Sequence, residues 1–315
     1  MKPAKKIIVT GAGGLVGMNL LTLINKKKYH VIAIDKLKEN INLINNIFPD
    51  VETHTDDLSK PNKWEDIFKD ADCVIQLQAQ IASPKSTPYV KNNIDSVKNV
   101  IAACKKYNIK NLIHYSSSVV ISVADDHYTN TKRKGEILVK KSKVPHTILR
   151  PPLMYGCFDV KHLGFLTQLL EMSPIFPVPG SGKYMRQPLF VEDICKITIK
   201  LIEKKPQNKT HNIIGQEKIN FIDLLKIIAK EKKLHRLFLP LPIPIFLFLL
   251  KIHSIIMRKK PFIPDQLKAL TAGDDFPVTA WDKTFGIPYT PFRKGIKKML
   301  ASPNYKYRLK MIRHE

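Results

Sequence analysis

The stretch Thr10-Gly11-Ala12-Gly13-Gly14-Leu15-Val16-Gly17, directly after the apolar run Ile7-Ile8-Val9, restricts this chain more than any other. Glycines at 11, 14 and 17 suit a tight turn that ends a strand and opens a helix. Without side chains, backbone N–H groups can approach phosphate oxygens at the positive end of the helix dipole, so a pyrophosphate fits there. Glycine-rich turns also occur as plain loops, and the context decides. Asp35 closes a second apolar run, Val31 to Asp35, 18 residues beyond Gly17. That is near the spacing at which a carboxylate accepts hydrogen bonds from the adenosine ribose. A carboxylate there repels a 2′-phosphate, so NAD is expected over NADP, although Lys36 and Lys38 stand beside it.

Strand-like and amphipathic segments alternate through the first half: Lys6 to Thr10 then a helix from Gly14, Val31 to Asp35 then Lys38 to Ile47, Cys73 to Leu77 then Val90 to Lys106, and Asn111 to Ser116. This order predicts an α/β fold, a Rossmann-type doubly wound parallel sheet covered on both faces. From Arg150 onward the spacing becomes irregular and proline-rich, with loops expected at Pro151-Pro152 and over 174–179. The 315 residues suffice for two domains. We expect an NAD-binding domain over 1–150 with a return segment of about 190–214, and a smaller C-terminal substrate-binding domain formed by 151–189 and 215–315. Phe221 to Glu231 and Pro244 to Ile256 read as helices of the smaller domain.

Composition narrows the partners. The formal charge is +25, yet only eight of the 52 basic residues are Arg, and the Lys are dispersed without an aromatic-interleaved patch. Nucleic-acid binding is therefore not expected, whereas anionic substrates are attractive. Cys73, Cys104, Cys157 and Cys195 form no C-x-x-C pair, and the histidines show no ligand spacing. No metal site or disulfide scaffold is proposed, and a reducing cytoplasm fits. The basic N-terminus runs straight into a strand without a cleavage site, so no secretory signal is expected. The longest apolar stretch, Leu237 to Leu250, contains three prolines and is shorter than the roughly 20 residues a spanning helix needs. The segment 244–260, flanked by Lys251 and Arg258 to Lys260, is open to three readings: a buried helix or a lid over the substrate, which we prefer, or a peripheral contact with an anionic membrane.

Tyr128 and Lys132 stand four residues apart and so share one helix face. An ammonium near a phenol favours the phenolate and brings proton transfer closer to neutral pH. Ser116, Ser117 and Ser118 follow the strand Asn111 to Tyr115, at the carboxyl edge of the sheet where open α/β folds bind ligands.

With these residues the sequence resembles the extended branch of the short-chain dehydrogenase/reductase superfamily, the NAD-dependent epimerase/dehydratase family. The resemblance covers nearly the whole chain. It rests on the glycine turn, Asp35, Asp57-Leu58, the segment Val74 to Ala79 in place of a V-x-H-L-A-A strand, Asn93, the serines, Tyr128 and Lys132. It extends through Leu149-Arg150-Pro151 to Tyr155-Gly156, Arg186 to Asp193, and Thr290-Pro291-Phe292 to Gly295. The resemblance implies Ser118, Tyr128 and Lys132 as catalytic residues. It implies NAD held by Gly11, Gly14, Leu15, Val16, Gly17, Asp35, Asp57, Leu58, Leu77, Ala79, Asn93, Tyr128 and Lys132. Ser118 and Arg186 would bind substrate, Arg186 gripping the diphosphate of a nucleotide-sugar.

Gln76 and Gln80 depart from the family pattern, and the segment between the serines and Tyr128 is short. Val119 and Val120 stand where dehydratases carry an acid and a base, which disfavours dehydration and decarboxylation. The resemblance thus implies a UDP-sugar 4-epimerase-like enzyme that acts on a nucleotide-activated sugar through transient hydride transfer to bound NAD. The rivals are an NAD(P)-dependent oxidoreductase of a sterol-like or keto-sugar substrate and a non-catalytic NAD-bound assembly protein. A homodimer is compatible with the sequence, and the sugar, nucleotide and stereocentre are left open. If Asp35 selects the cofactor, titration of the purified protein will show NAD binding more tightly than NADP.

Overall fold

The computed structural model describes residues 4–256, 271, 273 and 275–305. Among them the chain divides into two compact units. The first comprises the stretch up to Pro151, Val191–Ile213 and Thr279–Tyr289. The second comprises Pro152–Phe190, the stretch from Ile214 to Val278, and the residues from Thr290 onward.

The first unit is built on β1 (Lys5–Thr10), β2 (Tyr29–Asp35), β3 (Glu52–Thr55), β4 (Cys73–Gln76), β5 (Leu112–Tyr115) and β6 (His146–Arg150). Between them run α1 (Leu15–Leu23), α2 (Lys38–Ile47), α3 (Thr87–Val90), α4 (Ser96–Lys106) and α5 (His127–Lys141). The seventh strand, labelled β11 in chain order and spanning Lys209–Asn212, follows α7 (Val191–Ile202). All neighbours pair in parallel, in the order β11-β6-β5-β4-β1-β2-β3. The connection order reverses between β1 and β4, and open sheets bind ligands beyond the strand ends at such a switch point. Ile7, Ile8 and Val9 of β1 are all fully buried. A continuous apolar run, rather than an alternating one, is what a sheet covered on both faces requires. On one face Ile8, Ile32, Ile34 and Val74 pack with Trp64, Phe68, Val100 and Cys104.

Thr279–Tyr289 joins this unit although the sequence reading assigned it to the C-terminal domain. Its helix α10 (Trp281–Phe285) buries Trp281 and Phe285. Thr279 Oγ1 donates to the Asn212 carbonyl at 2.6 Å, and Lys200 Nζ donates to the Phe285 carbonyl at 2.8 Å.

The second unit holds β7 (Met154–Tyr155), α6 (Leu163–Met172), β8 (Ile175–Pro179), β9 (Met185–Arg186), β10 (Leu189–Phe190), β12 (Ile219–Asn220), α8 (Phe221–Glu231), β13 (Leu237–Leu241), α9 (Ile243–Ile256) and α11 (Phe292–Ala301). Its core gathers Tyr155, Leu163, Phe176, Phe190, Phe221, Leu224, Phe292 and Ile296. The segment 174–179, expected as a loop, instead contains strand β8 (Ile175–Pro179), paired in parallel with β13. Each of these strands has a single partner, so Pro177, Pro179 and Pro240 can turn their missing N–H away from the ladder. Of the two preferred readings of the apolar helix, a buried helix or a lid, the first requires correction. Ile245, Phe248, Leu249 and Ile252 of α9 are exposed, while Arg258 to Lys260 lie outside the described residues.

The tightest backbone approach in the first unit is at Gly17, where an added Cβ would stand 2.2 Å from the Ala12 carbonyl oxygen. Overpacking against a backbone that cannot yield costs about 1–3 kcal/mol or more. We expect Gly17→Ala to lower the urea midpoint by an amount equivalent to about 2–3 kcal/mol.

Candidate active site

The glycine turn meets β1 as a strand-to-helix corner. Gly11 adopts φ +65, in the left-handed region, and a Cβ there would lie 2.7 Å from both the N and the Cα of Gln78. Only glycine combines that conformation with that contact. Leu77 N–H donates to the Thr10 carbonyl at 3.1 Å, which brings the chain leaving β4 alongside the chain leaving β1. Gly14 caps α1 with no side-chain hydrogen bond, so the first-turn N–H groups of Leu15, Val16 and Gly17 have no side-chain cap. Groups of this kind at a helix N-terminus accept an anion.

Asp35 ends β2 and is 7% exposed. Its carboxylate accepts from Gly13 N–H, Leu37 N–H and the Asn40 amide, each at 3.0 Å. A carboxylate offers about four lone-pair sites, so three donors orient Asp35 and leave capacity for a ribose hydroxyl. The uncapped helix, the glycine corner and the oriented carboxylate together fit a dinucleotide.

Other residues expected at the cofactor are placed differently from one another. Leu58 is buried in the core, and its carbonyl accepts from Asn99 at 2.9 Å. Asp57 accepts from Ser59 N–H at 3.0 Å. Leu77 is half-buried and Ala79 exposed. Asn93 is buried and ties two elements together. Its Oδ1 accepts from Gln80 N–H at 2.7 Å, and its amide donates to the Gln80 carbonyl at 3.1 Å and to Thr131 Oγ1 of α5 at 3.0 Å. Asn93 lies in a π-helical turn, Lys91–Asp95. Gly135 of α5 comes so close to that turn that a Cβ would sit 2.7 Å from the Asn93 carbonyl oxygen. This contact and the Asn93 hydrogen bonds place α5, and with it Tyr128 and Lys132.

The start of α5 is dictated locally. Asp126 is its N-cap, and its carboxylate accepts from Thr129 N–H at 2.9 Å. Tyr128 thus occupies the first turn and Lys132 the second. Burial pushes the Tyr128 phenol up, and Asp126 and Tyr89 add to that, while a hydrogen bond with Ser117 opposes it. Ser118, the serine implied by the family resemblance, is 1% exposed at the head of a short 3-10 turn, and its N–H donates to the Pro151 carbonyl. The serine that meets the phenol is Ser117.

Lys132 is buried and donates from Nζ to the carbonyl of Tyr115, the last residue of β5, at 2.6 Å. Burial lowers its pKa to about 8, against the pull of the Glu136 carboxylate. Glu136, one turn further along α5, is 3% exposed. It accepts from Ser116 Oγ at 2.7 Å and Arg150 Nε at 2.9 Å, and Lys140 Nζ lies 2.6 Å away. Burial works against the charge of Glu136, yet Arg150, Lys140 and Ser116 outweigh it and hold the carboxyl at about 2. The sequence reading missed this acid, although its position four residues after Lys132 on one helix face was the available signal. Gln76, which departs from the family strand, is buried, and its Oε1 accepts from His114 Nδ1 at 2.8 Å; burial pushes His114 well below the usual imidazole range.

Arg186 belongs to the second unit. It lies in β9 opposite Ile219 of β12, is 6% exposed, and its guanidinium stands over the Tyr184 ring at 5.7 Å. Among the described residues, no group of three or more His, Cys, Asp or Glu could hold a metal ion.

A parallel sheet with a dinucleotide corner at its switch point, and a serine, a tyrosine and a buried lysine at the end of β5, define a nucleotide-cofactor enzyme of the Rossmann class. The chain belongs to the NAD dependent epimerase/dehydratase family, which it matches over residues 7–214. It is an enzyme, and its cofactor is NAD. Among curated relatives it is 26% identical over 234 residues to Protein CapI of Staphylococcus aureus, covering 63% of this chain and 70% of that one. It is 27% identical over 263 residues to an uncharacterized UDP-glucose epimerase, YtcB, of Bacillus subtilis, covering 71% and 81%. Its fold matches the crystal structure of UDP-glucuronic acid 4-epimerase from Bacillus cereus in complex with NAD, with a TM-score of 0.75 at 21% identity over 97% of this chain and 99% of that one.

Removing one partner of a buried ion pair costs about 3–5 kcal/mol. Glu136→Gln is expected to lose stability on that scale at pH 7, measured by urea unfolding. The carboxyl is depressed in the folded chain, so its contribution is full above pH about 4.5 and disappears as pH falls toward 2. The gap between parent and variant should therefore narrow across that window.

Proposed function

We propose that this enzyme epimerises a nucleotide-activated sugar at C4, with a UDP-sugar as substrate. The observation that carries the reading is the grouping of Ser117, Tyr128 and Lys132 where β5 and α5 meet, on the sheet edge that also carries the glycine corner. Similarity to the uncharacterized UDP-glucose epimerase YtcB and to the UDP-glucuronic acid 4-epimerase of B. cereus supports the substrate class.

When bound, NAD supplies a reversible hydride acceptor at the sugar carbon. The chain's own residues manage the proton. Tyr128 takes the proton of the sugar hydroxyl and gives it back once the carbon has been reduced on its other face. The phenol, raised by burial, must be made more acidic for this role, and a positive charge close by does that. Lys132, with its pKa near 8, is mostly protonated at pH 7 and supplies that charge. Ser117 orients the phenol by hydrogen bond, and Ser118 is proposed to meet the substrate oxygen. Arg186 is assigned the diphosphate, since a guanidinium forks onto two oxygens at once. The reaction is placed in the cytoplasm, where activated sugars and NAD are both available.

Tyr128→Phe should keep the fold and NAD binding while losing about 10² to 10⁴ in turnover, the range that general acid–base catalysis supplies. The test is turnover of UDP-sugars by parent and variant, with bound NAD quantified alongside. A parent that interconverts no UDP-sugar but consumes free NAD or NADH with a keto substrate favours the oxidoreductase rival. Near-normal turnover by Tyr128→Phe rejects the assignment of Tyr128.

A further inference from the structure

Arg133 follows Lys132 on α5, and its half-buried side chain is engaged by the segment that leads from the serines to Tyr128. Nε donates to the Val120 carbonyl at 3.1 Å, Nη1 to the Ala124 carbonyl at 3.0 Å, and Nη2 to the Ser122 carbonyl. Nη1 also donates to Oδ1 of Asn130, about one turn earlier on the helix, at 3.3 Å. Asn130 in turn donates to Asp125 Oδ1 at 2.6 Å. The three carbonyls belong to alternate residues, and all four oxygens that accept from Arg133 are uncharged. The guanidinium is used here for its fork of donors and not for an ion pair.

The segment needs such a tie. From Val119 to Asp126 it contains no Gly, Pro or Asn, and Val119, Val120, Ile121 and Val123 are β-branched, so few of its residues favour a turn. Packing does not hold it either, since Ile121 and Val123 are exposed. Its first carbonyls are satisfied locally: Ser117 accepts from Val120 N–H at 3.2 Å, and Val119 from Ser122 N–H at 3.0 Å. The carbonyls of Val120, Ser122 and Ala124 go to Arg133. Val120 therefore links the two ends of a chain of contacts, donating to Ser117 and accepting from Arg133. Ser117 Oγ accepts from Val119 N–H at 3.4 Å and is hydrogen-bonded to the Tyr128 phenol.

We propose that Arg133 is a positioning residue: by gathering the Val120, Ser122 and Ala124 carbonyls onto α5 it fixes the 3-10 turn and holds Ser117 on the Tyr128 phenol. Its effect on rate rests on the reading of Tyr128 as the proton-transfer group, whereas its effect on the Ser117–Tyr128 contact does not. Lysine cannot replace it. An ammonium carries its three donors on one atom and cannot span carbonyls spread over five residues.

The test uses the full-length protein with its tyrosines carbon-13 labelled at Cζ, whose resonance reports the hydrogen bonding of the hydroxyl. The Tyr128 signal is assigned by its loss in Tyr128→Phe. At neutral pH, Ser117→Ala should displace it, and Arg133→Ala and Arg133→Lys should displace it in the same direction. Adding Arg133→Lys to Ser117→Ala should move it no further, because the two residues act through one contact. On the UDP-sugar that the parent converts best, either Arg133 variant should lower kcat by about tenfold, the worth of one hydrogen bond, with KM changed by less than about twofold. The double variant should be no slower than Ser117→Ala alone. Far-UV circular dichroism checks folding, and if Arg133→Ala unfolds, Arg133→Lys decides. A Tyr128 signal unmoved by Ser117→Ala or by the Arg133 variants overturns the proposal, as do losses that add in full to those of Ser117→Ala. A parent that converts no UDP-sugar overturns the function proposed above, and the Tyr128 resonance then still decides the role of Arg133.

Discussion

Backbone pressed against backbone at the end of β1 is the constraint on which the first unit depends. Gly11 lies against Gln78 and Gly17 against Ala12, both closer than any Cβ allows. These contacts let α1 begin immediately over the sheet edge and let the chain leaving β4 pass beside the turn. The same corner directs Gly13 N–H at Asp35, so the carboxylate at the end of β2 is oriented by the turn it serves. Van der Waals exclusion, more than any attractive term, accounts for why these positions are glycine.

A second constraint is electrostatic. Glu136 is a buried anion, which is costly to desolvate, and three donors from separate places satisfy it: Ser116 after β5, Lys140 on α5 and Arg150 at the end of β6. The arrangement joins two adjacent strands to the helix that carries Tyr128 and Lys132. Its negative charge also offsets part of the burial cost of Lys132, whose ammonium is fixed on the Tyr115 carbonyl. Burial lowers the lysine to about 8, and it stays mostly protonated at pH 7. Asn93 and the π-helical turn serve the same end by setting how closely α5 approaches.

The second unit is held together differently. Its core is aromatic, with Tyr155 packed on Phe190 and Phe292 and its hydroxyl donating to the Phe292 carbonyl at 3.2 Å. Its strands are short pairs and not a continuous sheet. The family match ends at residue 214, before β12, α8, β13 and α9, and the exposed apolar side chains of α9 lie beyond it.

Much of this protein was legible from sequence because the signals are local. The glycine turn, Asp35 at the end of β2, the limits of α2 and α8, and the pairing of Tyr128 with Lys132 on one helix face all follow from spacing within a few residues. The order of strands and helices implied the parallel sheet, because a parallel neighbour needs a crossover. What only the tertiary structure decided depends on residues distant in the chain. It turned proline-bearing segments 174–179 and 237–241 into a strand pair, drew Thr279–Tyr289 to the first unit, and joined Glu136 to Arg150. It also set Ser117 against the phenol and determined which face of α9 is covered. Periodicity reveals a helix's apolar face only when another face is polar. A helix apolar all round carries no such record, and its exposed side is settled by what packs against it.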